Sequence, residues 1–164
     1  MRYLLIVFSL WFISCSQTYF IVRHAEKAAP GANMTSDVPL SPAGGQRAEA
    51  LKEVLRDKKI GYVYSTNTIR TRSTAQPLAD LSGLPVRVYG PRPDSAFIQT
   101  LKDLDKNTLV VGHSNTVDDI VNMLCGYKAV PGDLNENQYD HLFIVRRKGS
   151  RFAFTLKKYG AKTD

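Results

Sequence analysis

Four short runs of β-branched and aromatic residues recur along the chain, and they limit the fold more than any other feature. They are "TYFIV" (18–22), "YVYS" (62–65), "PVRVYG" (85–90) and "TLVVG" (108–112). Each is too short and too β-branched for a core helix and reads as a strand. Between them lie segments with helical signals. "LSPAGGQRAEALKEVLRDKKIG" opens with Ser41 as N-cap and Pro42 at the first helical position, repeats Ala48, Leu51 and Leu55, and reaches a stop at Gly61. "TIRTRSTAQPLADLSG" reads as a helix with Pro77 inside it, "SAFIQTLKDL" (95–104) as a third and "NTVDDIVNMLCG" (115–126) as a fourth. Strands alternating with helices predict an α/β three-layer sandwich whose central sheet is mostly parallel, with helices on both faces. "HLFIVRRKG" and "SRFAFTLKK", joined at Gly149–Ser150, predict an antiparallel hairpin at the sheet edge.

A chain of 164 residues has room for one core of this kind and not two. Its net charge of +7 favours anionic partners. The basic residues of the hairpin, Arg146, Arg147, Lys148, Arg151, Lys157 and Lys158, lack the aromatic interleaving of a nucleic-acid reader, so no nucleic acid is expected. They read as a solvated edge or as a contact with anionic lipid.

The first residues have a different character. Arg2 precedes an apolar run from Leu4 to Ile13, shorter than the about 20 residues a spanning helix needs. Residues 1–14 therefore read as a secretory signal peptide. The run ends in "FISC", which resembles the lipobox of bacterial lipoproteins and implies that Cys15 is the lipidated first residue of the mature protein. Residues 16–164 then form a single domain held at a bacterial cell envelope, facing outside the cytoplasm. A secreted or periplasmic soluble form is the alternative. Cys125, in an apolar helix position, reads as a structural thiol.

Function is concentrated where strands end. His24 follows "YFIVR" and His113 follows "TLVVG", so both are expected at the carboxyl edge of one sheet, where ligands of open α/β sheets bind. Arg23 adjoins His24, and Arg70 and Arg72 leave the second strand at the same edge. Imidazoles and guanidiniums gathered at helix N-termini make an environment for a phosphate oxyanion.

At this point the sequence resembles a known family. "VRHAEK", "PLSPAGGQRA", "STNTIRTRSTA" and "VVGHSN" match, in order, the motifs of the histidine phosphatase superfamily (phosphoglycerate mutase-like), in particular its small phosphohistidine phosphatase-like members. The resemblance spans residues 19 to 125. It implies that His24 is the nucleophile, that Arg23 and Arg70 bind phosphate, and that His113, with Ser114 beside it, contacts the transferred phosphoryl group. It further implies hydrolysis of phosphomonoesters or phosphoramidates through a phosphohistidine, with no metal and no cofactor. The partner is then a phosphorylated small molecule or phosphoprotein.

Such chemistry calls for a proton donor to the leaving oxygen. Asp94 in "PRPDSA" and Glu26, two residues from His24, are the two candidates, and the absence of a dedicated acid is the third option. Two other functions use the same residues: a phosphate-binding or signalling module without turnover, and a metal-dependent hydrolase with His24, Glu26 and His113 as ligands. Substrate choice falls to residues 27–40, 90–98 and 127–140, and "KAVPGDLNENQYD" (128–140) reads as a polar loop, either a lid over the site or a plain connection.

Overall fold

The computed structural model describes residues 16–31 and 37–163. The signal segment and Cys15 lie outside the described residues. In chain order the elements are β1 (Ser16–Arg23), α1 (Pro42–Leu55), β2 (Ile60–Thr66), α2 (Ile69–Ser82), β3 (Val86–Tyr89), α3 (Ser95–Asp103), β4 (Asn107–Gly112), α4 (Val117–Cys125), β5 (His141–Lys148) and β6 (Arg151–Lys158).

The strands form one sheet in the order β3-β2-β4-β1-β5-β6. β1, β2, β3 and β4 pair in parallel. β5 runs antiparallel to β1, and β6 antiparallel to β5, so the hairpin closes the edge as the sequence predicts. Successive side chains of a strand point to opposite faces, and two cores result. Tyr19, Ile21, Val110 and Phe143 pack with Ile98 and Leu101 of α3 and Ile120, Val121 and Leu124 of α4. Phe20, Val22, Leu109 and Val111 pack on the other face with Leu51 and Leu55 of α1 and Ala75 and Leu78 of α2.

Helix ends follow local chemistry. The Ser41 hydroxyl accepts from the Gly44 N–H at 3.1 Å, with Pro42 at the start of α1. Thr68 caps α2, which continues through Pro77 and ends on Gly83 in the left-handed conformation, where a glycine costs nothing. One boundary differs from the sequence reading: α1 stops at Leu55, six residues before Gly61. Lys59 takes a positive φ of 48°, which turns the chain early, and Gly61 falls within β2.

The start of α1 is also held against the loop that follows β1. Ser41 N donates to Glu26 O at 2.9 Å, Ala28 N donates to Pro39 O at 2.9 Å, and Lys27 bridges Leu40. Gly44 permits this approach, because a Cβ there would overlap the Glu26 carbonyl oxygen, whereas one at Gly45 would meet nothing within 4 Å. Gly44→Ala is therefore expected to lose about 1–3 kcal/mol through the clash, despite a helix-propensity gain of about 1 kcal/mol. Gly45→Ala keeps that gain. Urea midpoints of the two variants check this, and equal midpoints would show that the contact does not matter.

Candidate functional site

Parallel pairing brings the strand-end residues together. β1 and β4 are neighbours, with Arg23 opposite Gly112, and His24 N donates to Gly112 O at 2.9 Å. The imidazoles of His24 and His113 consequently stand 5.5 Å apart, edge to face at 69°. β2 flanks β4 on the other side and delivers Thr66, whose hydroxyl lies 2.8 Å from His113 Nε2. A cavity of about 330 Å³ opens at this edge, lined by Arg23, His24, Lys27, Arg70, Pro91, His113, Ser114, Asn115 and Glu136.

His24 forms its floor, only 4% exposed. Its Nδ1 lies 2.8 Å from Ala25 O, an acceptor, so the ring proton sits on Nδ1 and Nε2 keeps its lone pair. Burial, followed by the charges of Arg23 and Arg70 and by His113, lowers its pKa to about 3, against the opposing pull of the Ala25 carbonyl. Burial and the same two arginines lower His113 to about 4. Both rings are thus neutral at physiological pH. Hydroxyls hold the backbone around them: Thr74 Oγ1 accepts from Ala25 N at 2.9 Å and donates to Arg70 O at 2.8 Å, and Thr116 Oγ1 accepts from His113 N at 3.0 Å. Thr116 stands at the cap of α4 but makes no capping bond, its hydroxyl serving His113 instead.

Arg23 is buried, and its guanidinium meets the loop between α4 and β5. Nη1 donates to the carbonyls of Asn135 and Glu136, both at 2.9 Å, while Nη2 donates to Glu136 Oε2 at 3.0 Å. Tyr139 lies under the guanidinium at 4.2 Å. Arg70 pairs with Asp37 at 3.4 Å. Arg72 lies in a separate hollow beside Asn67, Ser73 and Gln76.

Of the sequence candidates, Arg23, His24, Arg70, His113 and Ser114 line this one cavity, and Glu26 and Asp94 do not. Both oxygens of Glu26 accept from Arg47, at 2.7–2.9 Å. Burial raises its pKa, but the Arg47 hydrogen bonds, a backbone hydrogen bond and the charges of Arg47 and Arg23 together hold the carboxyl below its usual range. Asp94 caps α3, accepting from Phe97 N at 2.8 Å. Among the described residues no three His, Cys, Asp or Glu side chains cluster as metal ligands would. Glu136, Tyr139 and Asp37 are the neighbours that motif reading misses. They sit in segments without periodicity, and the only sequence signal was the polar character of 128–140.

The arrangement offers an unprotonated imidazole nitrogen beside two guanidiniums and a second neutral imidazole. Such a set can hold a tetrahedral oxyanion and attack its central atom.

Comparison with known proteins agrees with the motifs. Residues 19–90 match the model of the histidine phosphatase superfamily (branch 1). The fold matches a solved structure described as the phosphohistidine phosphatase SixA of Agrobacterium tumefaciens, with a TM-score of 0.65 at 18% identity over 88% of this chain and 98% of that one. It also matches a mycobacterial glucosyl-3-phosphoglycerate phosphatase (TM-score 0.64, 17% identity, 90% of this chain and 100% of that one). A third match is an Escherichia coli protein described as an alpha-ribazole-5'-P phosphatase (TM-score 0.63, 16% identity, 88% and 96%). At these identities the structural likeness is one of fold. A search of curated proteins gives no match. The resemblance to the superfamily is thereby shown, in sequence over residues 19–90 and in fold over most of the chain.

The depressed histidines have a consequence for stability. Each is neutral when folded but binds a proton in the unfolded chain below about pH 6.5, so the unfolded state gains protons first and stability falls as pH drops through that value. Between pH 6.5 and 5, above the usual carboxylate range, the loss through His24 is expected at about 1.5 kcal/mol. Urea unfolding of the wild type and His24→Asn at the two pH values checks this. The variant should show a smaller loss, and parallel losses would mean that His24 titrates normally in the folded state.

Proposed function

We propose that this protein is a metal-independent phosphatase that hydrolyses phosphomonoesters or phosphoramidates through a phosphohistidine on His24. One observation carries the reading: the hydrogen bond from His24 Nδ1 to Ala25 O leaves Nε2 unprotonated in a cavity that it shares with Arg23, Arg70 and His113. An imidazole of this tautomer is a nucleophile near neutral pH without a base to activate it. Attack on phosphorus spreads charge over three equatorial oxygens, and the two guanidiniums and His113 are the donors that meet it. Water then cleaves the phosphohistidine and releases phosphate. The family match over residues 19–90 supports the same chemistry. The H-x-E metal alternative has less support, since Glu26 is taken up by Arg47.

Hydrolysis of an aryl phosphate by residues 16–164 in excess chelator tests the proposal. His24→Ala should abolish turnover, and Arg70→Ala should reduce it on the order of 10²-fold or more, as loss of an oxyanion donor does. Activity that appears only with a divalent cation would refute it. A phosphate-binding module without turnover is favoured by one feature, the occupation of Arg23 by loop carbonyls. It would show as phosphate binding with no hydrolysis of aryl phosphates or phosphoramidates.

The envelope location is part of the same proposal. It rests on the apolar run before Cys15 and on the position of Ser16, which pairs with Lys148 at the sheet edge remote from His24. Exposed Lys58, Lys59, Lys106, Lys148 and Arg151 stand at the strand termini of that edge. An anchor at Cys15 would turn this basic edge toward anionic lipid and the cavity away from it. The full chain expressed in a bacterium should fractionate with membranes and incorporate labelled fatty acid, and Cys15→Ser should do neither. Unlabelled wild-type protein would exclude the anchor.

A further inference from the structure

We propose that Glu136 is the proton donor to the leaving group, an inference that rests on the phosphatase reading above. Glu136 is the carboxylate among the residues lining the cavity. The other candidate carboxylates do not line it: Glu26 is bound to Arg47, Asp94 to the first turn of α3, and Asp37 to Ile69 N at 2.9 Å as well as to Arg70.

Position supports the role. In-line displacement expels the leaving group on the side opposite the nucleophile. His24 is the buried floor, 4% exposed, so the leaving group departs toward the mouth. The Glu136 side chain, 75% exposed, stands at that mouth with Oε2 3.0 Å from Arg23 Nη2. Its backbone is fixed: the Asn135 and Glu136 carbonyls accept from Arg23, and Leu134 N donates to Ser114 O at 2.9 Å. The side chain can therefore turn from Arg23 to the leaving oxygen without movement of the loop. A bound phosphoryl group supplies the reason to turn, because its oxygens compete for Nη2.

His24 Nε2 donates its pair to phosphorus, the P–O bond breaks with its pair on the leaving oxygen, and that oxygen takes the proton of Glu136 and departs as an alcohol. The resulting carboxylate accepts a proton from the water that attacks phosphorus. The P–N pair returns to His24, and Glu136 is again an acid.

A leaving-group comparison tests this. An alkyl phosphate needs its leaving oxygen protonated, whereas 4-nitrophenyl phosphate expels a stable anion. Glu136→Gln should lower kcat on the alkyl ester on the order of 10²–10³-fold while changing kcat on the aryl ester only a few-fold, with Glu136→Asp recovering part of the alkyl activity. Equal losses on both esters would overturn the assignment. So would a lower KM with unchanged kcat, which would make Glu136 a plug competing for Arg23. A wild-type protein inactive on both esters and on a phosphoramidate would instead defeat the phosphatase reading beneath it.

Discussion

The register of β1 against β4 is the constraint on which the site depends. Ile21 lies beside Val110, Val22 beside Val111 and Arg23 beside Gly112. Alternate residues of β1 belong to different cores, Tyr19 and Ile21 to one and Phe20 and Val22 to the other. A slip by one residue would exchange the two sets and bury each against the wrong helices. The packing of six aliphatic and aromatic side chains thus fixes the separation of His24 and His113, and Gly112 allows it. A Cβ at Gly112 would crowd Tyr89 Oη at 2.8 Å and Thr116 Oγ1 at 3.1 Å.

Around this core edge the chain places cations next to imidazoles that stay neutral. Burial, and after it the adjacent cations, lowers the proton affinity of both rings and so works against folding in acid. Supporting contacts offset the crowding of charge. Arg23 rests on two carbonyls, a carboxylate and the face of Tyr139. Arg47 binds Glu26 and also the carbonyls of Tyr159 and Ala161, so one guanidinium ties the loop after His24 to the C-terminal segment. Glu26 stands two residues from His24 for this structural reason.

Sequence reading reaches as far as local patterns do. His24 and His113 were legible because each ends an apolar run, and a run of that composition has few ways to fold other than as a buried strand. Glu26 misled for the same reason: two residues from His24 suggests a shared face. Its true partner, Arg47, is 21 residues away and meets it only once α1 docks on the loop. Glu136 lies 113 residues from Arg23 in a segment with no period, and nothing local announces its approach. The loop lies where it does because Leu134 N finds Ser114 O and Asn122 binds Val130 through both donor and acceptor. Such tertiary pairings leave no mark on composition or spacing.

The two arginines of the cavity are each attached to a different loop segment. Arg23 is bound by residues 135 and 136, and Arg70 by Asp37. These segments also carry none of the family motifs. The placement of the two guanidiniums is therefore mechanically joined to the shape of these segments. A change in loop 127–140 that moves the carbonyls bonded to Arg23 also moves a guanidinium that lines the cavity with His24.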